Sequence, residues 1–446
     1  MIRFQTLSML ALLLGGLFFA DDRALAQTSA DDRIRALEER LLTLEEGQEA
    51  SGGGASWLER FHFSGSANAG FVAAGSDSFY EEGSFLLRDA RLFVDVALER
   101  DVRVGSTTIA RDVGFSFELN AVRRSETGDD QIDGLIGETY IELRGLLDSD
   151  WLSLQVGRVQ LPLGESYLRY SRGYGKKPFV SDTIGGPWYW DEGVRLFGGP
   201  ASGRYGYVAS LTDGENSFNG MNNQDVQYTL KLYATVTSWL YVSASGMWTG
   251  ETGTPDDASS NSLWLGEMFP AAFGSRSNVD NYDGGIVVPD GPNQLDRIEL
   301  IGADVIVRPD DHQRIWLAYG VTTIESDGSR IYDRRLIYWI AEYVVEGELF
   351  STSLAPFYFG VRANGLGTYH DEEGYFIDQR LRGDLGYNVS ATDAYSAVVG
   401  WRIGKHATLR AEYTSYQINL VSGVTADLRA AADDADYFLL ELGIDF

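Results

Sequence analysis

The last ten residues alternate without a break: Phe438, Leu440, Leu442, Ile444 and Phe446 fall on one side of an extended chain, and Leu439, Glu441, Gly443 and Asp445 on the other. Successive side chains of a strand point to opposite faces, so this segment shows one apolar face and one mixed face. The same period of two recurs upstream in sixteen segments altogether: 60–74, 85–99, 112–124, 135–145, 151–158, 193–198, 203–212, 225–236, 239–250, 295–307, 313–324, 335–348, 354–364, 394–403, 407–419 and 437–446. Charges keep to one phase. In 85–99, Ala90, Leu92, Val94, Val96 and Leu98 oppose Asp89, Arg91 and Asp95; in 135–145, Leu135, Thr139, Ile141 and Leu143 oppose Glu138, Glu142 and Arg144. In 335–348, Ile337, Trp339, Ala341, Tyr343 and Val345 oppose Glu342 and Glu346.

A water-soluble sandwich strand has the same period, so the connections must decide. They alternate in length. Residues 75–84, 125–134, 159–192, 213–224, 251–294, 325–334, 365–393 and 420–436 are long, whereas 146–150, 199–202, 237–238, 308–312, 349–353 and 404–406 are short; 100–111 falls between. Short turns at one rim, long loops at the other and an even strand number are the layout of a membrane barrel, whose strands must all pair because hydrocarbon offers a peptide group no hydrogen bond. The expected fold is therefore all-β: a 16-stranded antiparallel transmembrane β-barrel, apolar toward lipid and polar toward a water-filled lumen. Trp239, Trp248, Trp316, Trp401, Tyr228 and Tyr413 fall near strand ends or on the outer phase, as interfacial aromatics do.

Composition adds exclusions. The 446 residues contain no cysteine, which removes disulfides, thiolate metal sites and cysteine nucleophiles, and 65 acidic against 36 basic residues give a net charge of −29, which argues against nucleic acid as a partner. Residues 1–26 read as a signal peptide: Arg3, an apolar stretch from Leu7 to Ala20, and Ala24-Leu25-Ala26 before the cut, placing the mature chain outside the cytoplasm. Residues 27–56 read as a periplasmic coiled-coil segment and linker. Ile34, Leu37, Leu41 and Leu44 form a seam of about two heptads, too short to be stable alone, so it implies several copies meeting. Ser51-Gly52-Gly53-Gly54 then links it to a barrel over 57–446.

The connection 159–192 carries the candidate chemistry. It holds Arg169, Arg172, Lys176 and Lys177 among Tyr167, Tyr170 and Tyr174, with Arg158, Arg195 and Arg204 around it; the chain has four lysines, and two sit here. Folded inward, this loop is expected to form a constriction that attracts anions through Arg158, Arg169, Arg172, Lys176, Lys177 and Arg195. Folded outward, it would pair with neighbouring acids or lipopolysaccharide phosphates. Arg91, Lys231, Arg402 and Arg410, together with Glu118, Glu138 and Glu142, are expected to line the lumen, as are Arg144, Arg314, Arg362, Asp89, Asp95, Glu342, Glu412 and Glu441. Mixed signs on opposing walls set up a transverse field that screens solutes by polarity.

An enzyme would need a nucleophile and base in reach, and His62, His312, His370 and His406 form no arrangement that spacing recommends. No catalysis, cofactor or metal is expected. A structural tether with a barrel plugged by its own loops is the competing class, and the 44-residue connection 251–294, with Glu267, Asp280, Asp283 and Asp290, is long enough to cap a mouth.

Gly157-Arg158-Val159-Gln160-Leu161-Pro162-Leu163-Gly164-Glu165 resembles the approach to the third loop in the phosphate-selective porins O and P, and Leu87-Arg88-Asp89-Ala90-Arg91-Leu92, Glu192-Gly193-Val194-Arg195-Leu196 and the N-terminal seam are similar to that family as well. The resemblance implies a trimeric sixteen-strand pore in the outer membrane of a Gram-negative bacterium, in contact with outer-membrane lipid and lipopolysaccharide, and passive uptake of small anions such as phosphate. The chain departs from the family in a carboxylate-rich inner phase and in lacking a regular arginine ladder, which leaves a non-selective or cation-preferring general porin as the alternative.

Overall fold

The computed structural model describes residues 57–74, 84–123, 132–165, 177–181, 183, 190–213, 226–250, 295–326, 334–369, 375–377, 387–420 and 436–446. The expected signal peptide, coiled-coil segment and loop 251–294 lie outside these residues. Seventeen strands form one sheet: β1 Phe61–Ala74, β2 Ser84–Val104, β3 Thr107–Arg123, β4 Ile132–Arg144, β5 Ser153–Gln160, β6 Trp190–Gly198, β7 Tyr205–Thr212, β8 Gln227–Thr237 and β9 Leu240–Thr249. They continue with β10 Leu295–Val307, β11 Gln313–Ser326, β12 Arg334–Glu346, β13 Phe357–Thr368, β14 Tyr375–Ile377, β15 Tyr387–Ile403, β16 Ala407–Leu420 and β17 Tyr437–Asp445. Strand β14 pairs only with β15, as a three-residue extension above it, while β13 passes directly to β15. The other sixteen strands close in an antiparallel meander. Closure is made by β17 on β1, from Ser66↔Asp445 to Ala74↔Tyr437, and finished by reciprocal bonds between Gly65 and Phe446.

Closure puts both edges of each of these sixteen strands in a ladder and leaves the faces to be sorted by solvent. In β17 the outward Phe438, Leu440, Leu442 and Ile444 are exposed, Leu440 at 38%, while inward Leu439 and Glu441 are at 2% and 1%. Apolar side chains thus occupy the exposed surface and charges the interior, the inverse of a water-soluble protein and the sorting that a lipid exterior requires. Outward Trp239, Trp248, Trp401, Tyr228 and Tyr413 are exposed as expected. Trp316 is not: it faces inward, buried, and donates from Nε1 to Asp304 Oδ1 at 2.9 Å.

Four other expectations are corrected. Residues 100–111 are no ambiguous connection. β2 and β3 run on to a tight turn at Gly105-Ser106, where Gly105 takes a φ of 63°, so that the short-turn rule holds there too. The third loop is shorter than 159–192, because β5 continues through Gln160 and β6 begins at Trp190. In β4 a bulge sets Phe117 opposite Thr139 but Leu119 opposite Ile136, so Ile136 is the exposed residue and the strict alternation from Leu135 fails there. The fourth correction concerns the lumen itself. The inward positions of β10–β12 are largely apolar, with Ile298, Leu300, Ile306, Leu336, Tyr338 and Ile340 all buried around Asp304, Thr322 and the Arg314–Glu342 pair. Strands covered on both faces read as nearly continuous apolar runs, and β12 (Leu336-Ile337-Tyr338-Trp339-Ile340-Ala341) does.

Tyrosines and glycines fit together on this wall. Gly302, Gly320 and Tyr338 stand in register on three successive strands, and the Tyr338 ring lies across the two glycines, in space that Cβ atoms there would fill. Tyr358 covers Gly400 in the same way one wall further on.

Candidate functional site: a loop folded through the barrel

The third loop turns inward at a kink. Gly157 on β5 faces Gly193 on β6 and holds a φ of 135°, a conformation closed to residues with a Cβ, while the Thr139 carbonyl occupies the space a side chain would need. The next residue, Arg158, is buried and pairs with Glu192 directly across the ladder at 2.5 Å. Arg195 also points inward. It donates to Gln155 Oε1 at 2.6 Å and to the Gln160 carbonyl at 2.7 Å, and lies 3.7 Å from Glu138. Both arginines brace the point at which the chain leaves the wall.

From there Leu161–Glu165 reaches β8 and β9. The Gly164 amide donates to Ser245 Oγ at 3.1 Å, and Lys231 donates from Nζ to the Gly164 carbonyl and to Glu165 Oε1, each at 2.6 Å. Tyr241 and Ser243 also donate to Glu165 Oε1, at 2.6 and 3.1 Å, so three wall side chains converge on one oxygen of this buried carboxylate. Leu161 and Leu163 are buried beside it.

A second anchor lies on the far wall. Lys177–Ser181 runs against β13, β15 and β16, held mainly through its backbone. Arg410 donates to the Lys177 carbonyl at 2.6 Å, Tyr358 to the Pro178 carbonyl at 2.8 Å and Arg362 to the Ser181 carbonyl at 3.0 Å. In the opposite sense, Glu412 accepts from the Val180 amide, from the Ser181 amide at 3.1 Å and from Ser181 Oγ. Phe179 inserts among Val344, Tyr358 and Val398, with the Arg362 guanidinium 4.4 Å from its ring centre. Five residues of loop are thereby fixed by charge-assisted bonds and one apolar pocket.

The wall charges are mostly paired rather than free in water. Arg91 meets Glu118 at 3.5 Å, Arg410 meets Glu441 at 2.6 Å, and Arg314 meets Glu342 at 2.5 Å. Glu118 also accepts the Glu138 amide at 3.1 Å across the β4 bulge, and Glu142 binds Arg144 and Gln155. Lys231 serves the first anchor. Arg402 sits at the short-turn rim, half exposed, pairing with Glu346.

Of the six residues expected at a constriction, Arg158, Arg195 and Lys177 lie inside the barrel, and Arg169, Arg172 and Lys176 lie outside the described residues. Lys177 is 4% exposed. Arg204, grouped with them in sequence, is exposed at the short-turn rim, remote from the loop's entry. Sequence reasoning placed Arg362, Glu412 and Lys231 on the inner phase without seeing that they hold the loop, and passed over Glu165, Phe179 and Tyr358. One signal was present. Glu412 stands between Val398 and Leu439 in the ladders, neither able to pair with it, so its donors had to come from elsewhere than the two positions opposite it.

No family model and no curated protein matches the chain. Solved structures do. The outer membrane channel DcaP of Acinetobacter baumannii is 10% identical, with a TM-score of 0.54 over 86% of this chain and 97% of its own. In-vitro folded OmpT, an outer membrane protein of Vibrio cholerae, is 10% identical, with a TM-score of 0.51 over 86% and 97%. OmpF of Salmonella typhi, in a complex with daunomycin, is 11% identical, with a TM-score of 0.50 over 86% and 97%. At such identities the likeness establishes the barrel fold.

Proposed function

We propose that this chain is an outer-membrane porin that lets small hydrophilic solutes diffuse down their gradients, with no energy coupling and no cofactor. The observation that carries the reading is the inward third loop, anchored on two separate walls of a barrel whose exterior is apolar. A loop fixed on two walls gives a passage of defined width, which screening solutes by size and polarity requires. The fold shared with an outer membrane channel of Acinetobacter baumannii agrees with it.

Anion preference, with phosphate as one candidate solute, belongs to the same proposal. It rests on the basic stretch Arg169–Lys177 within a loop that enters the lumen, and on Arg158 and Arg195 at its root. Reconstitution in a planar bilayer tests the porin reading directly: stepwise ionic conductance supports it, and silence across channel-forming conditions counts against it. Reversal potential in a salt gradient then measures selectivity, and the joint change Lys176→Glu and Lys177→Glu should lower anion preference if the loop sets it.

One observation favours a second reading, a barrel closed by its own chain. The inward phase is buried almost throughout, including the apolar positions of β10–β12. Electrical silence combined with normal folding would favour it. The homotrimer remains part of the proposal, supported by the amphipathic seam at 34–44, and chemical cross-linking of the full mature chain against one truncated before Trp57 tests it.

A further inference from the structure

We infer that Glu412, with Arg362 beside it, is a positioning residue that seats Lys177–Ser181 and so sets the width of the passage. The inference deepens the porin reading by naming what holds its constriction, and part of its test is independent of that reading.

Glu412 is fully buried in the middle of β16, with Val398 and Leu439 as its cross-strand neighbours. Burying a carboxylate costs several kcal/mol unless hydrogen bonds replace its water. The loop supplies them: two consecutive backbone amides, Val180 and Ser181, and the Ser181 hydroxyl, with Thr414 Oγ1 adding a fourth donor at 3.0 Å from β16 itself. Arg362, 3.9 Å from Glu412, takes the Ser181 carbonyl, so donor and acceptor sides of one residue are both read by the wall. Phe179 fills an apolar pocket whose floor is Gly360 and whose side is Tyr358. Removing the carboxylate would strip three donors of the strap at once, while removing a surface charge would strip none.

The chemistry of glutamine separates hydrogen bonding from charge. In Glu412→Gln one amide oxygen can still accept the two backbone N–H groups, and the NH2 can donate to the Ser181 and Thr414 hydroxyls, which also accept. In Glu412→Ala nothing remains. The absence of native cysteine makes a single introduced thiol a clean reporter of strap position. Val180 is 1% exposed, so Val180→Cys should react slowly with a small water-soluble maleimide while the strap is seated.

The full mature chain is refolded in detergent, with heat-modifiable gel mobility as the control for a closed barrel. Adding Glu412→Ala to Val180→Cys should accelerate labelling roughly tenfold to a hundredfold, the range expected when hydrogen bonds to a charged group are lost, whereas adding Glu412→Gln should leave the rate within about threefold. In bilayers the alanine variant should show larger or unstable conductance steps and the glutamine variant steps near the parent's. Should Glu412→Ala fail to close a barrel, Ser181→Ala in the same reporter background removes one of the bonds from the loop side and should give a smaller acceleration. An unchanged labelling rate in a folded alanine variant overturns the inference, as does a glutamine variant that labels as fast as alanine. A porin that conducts with no change in either variant would also overturn it, whereas absence of conductance with the expected labelling would sink only the pore.

Discussion

Glu165 and Lys231 illustrate how much a single pair carries inside this barrel. The two side chains meet at 2.6 Å, both nearly buried, and the carboxylate also takes Tyr241 and Ser243. Truncating one partner of such a pair leaves an uncompensated charge, at about 3–5 kcal/mol. Lys231→Met should therefore release the first anchor of the loop, and limited trypsin digestion, with Arg169 and Arg172 as available sites, should cut faster than in the parent while the strands stay resistant. Equal digestion rates would show that Gly164–Ser245 and the buried leucines suffice. Gly400 offers a steric counterpart: Tyr358 occupies the space over it and donates to Pro178. Gly400→Val should push the tyrosine off its seat and loosen the second anchor, with a stability loss of about 1–3 kcal/mol by overpacking, read from urea unfolding in detergent. The sequence showed Lys231 on the inner phase, but not its partners on the loop, because Gly164, for one, lies 67 positions away in the chain.

Strands and turns were the most legible level. Period two located all sixteen barrel strands, and the rule of short and long connections located both rims, because lipid on one side constrains every second side chain along the whole length. The same rule yields a position-dependent prediction. Ile301, outward at the middle of β10, is 60% exposed, and Ile301→Arg should destabilise the inserted barrel by about 2–4 kcal/mol in lipid vesicles. Val104, at the tip of the β2–β3 hairpin and 70% exposed, lies beyond the ends of β1 and β4, among Glu99, Arg100, Asp101 and Arg103. Val104→Arg should change stability by less than about 0.5 kcal/mol, as a water-facing site does. Equal penalties at both positions would contradict the placement of the membrane. Strand reading failed at the β4 bulge, where one extra residue shifts the alternation, and at Trp316, where the alternation holds but a large aromatic occupies the inner phase because Asp304 accepts its Nε1–H.

For the whole molecule, the determining facts are a lipid-facing exterior and an interior knitted by paired charges. Removal of the buried Arg410–Glu441 pair tests whether those charges serve packing or transport: Arg410→Met with Glu441→Leu, removing both ends, should fold with far less loss than either change alone, and any change in conductance should come through the Lys177 carbonyl and the Asn68 side chain that Arg410 also holds. A double variant no better folded than the singles would reveal that more than the pair depends on each group. The sequence by itself determined the barrel, its strand number, its two unlike rims and the phase of nearly every strand, since each follows from the local demand that peptide groups pair and side chains meet the right solvent. Only the tertiary structure decided that the third loop enters the interior, that Glu165 and Glu412 fasten it from opposite directions, and that the inner face of β10–β12 is largely apolar. Those outcomes depend on contacts between segments far apart along the chain, and the alternation of a strand says which way a side chain points but not what waits for it across the lumen.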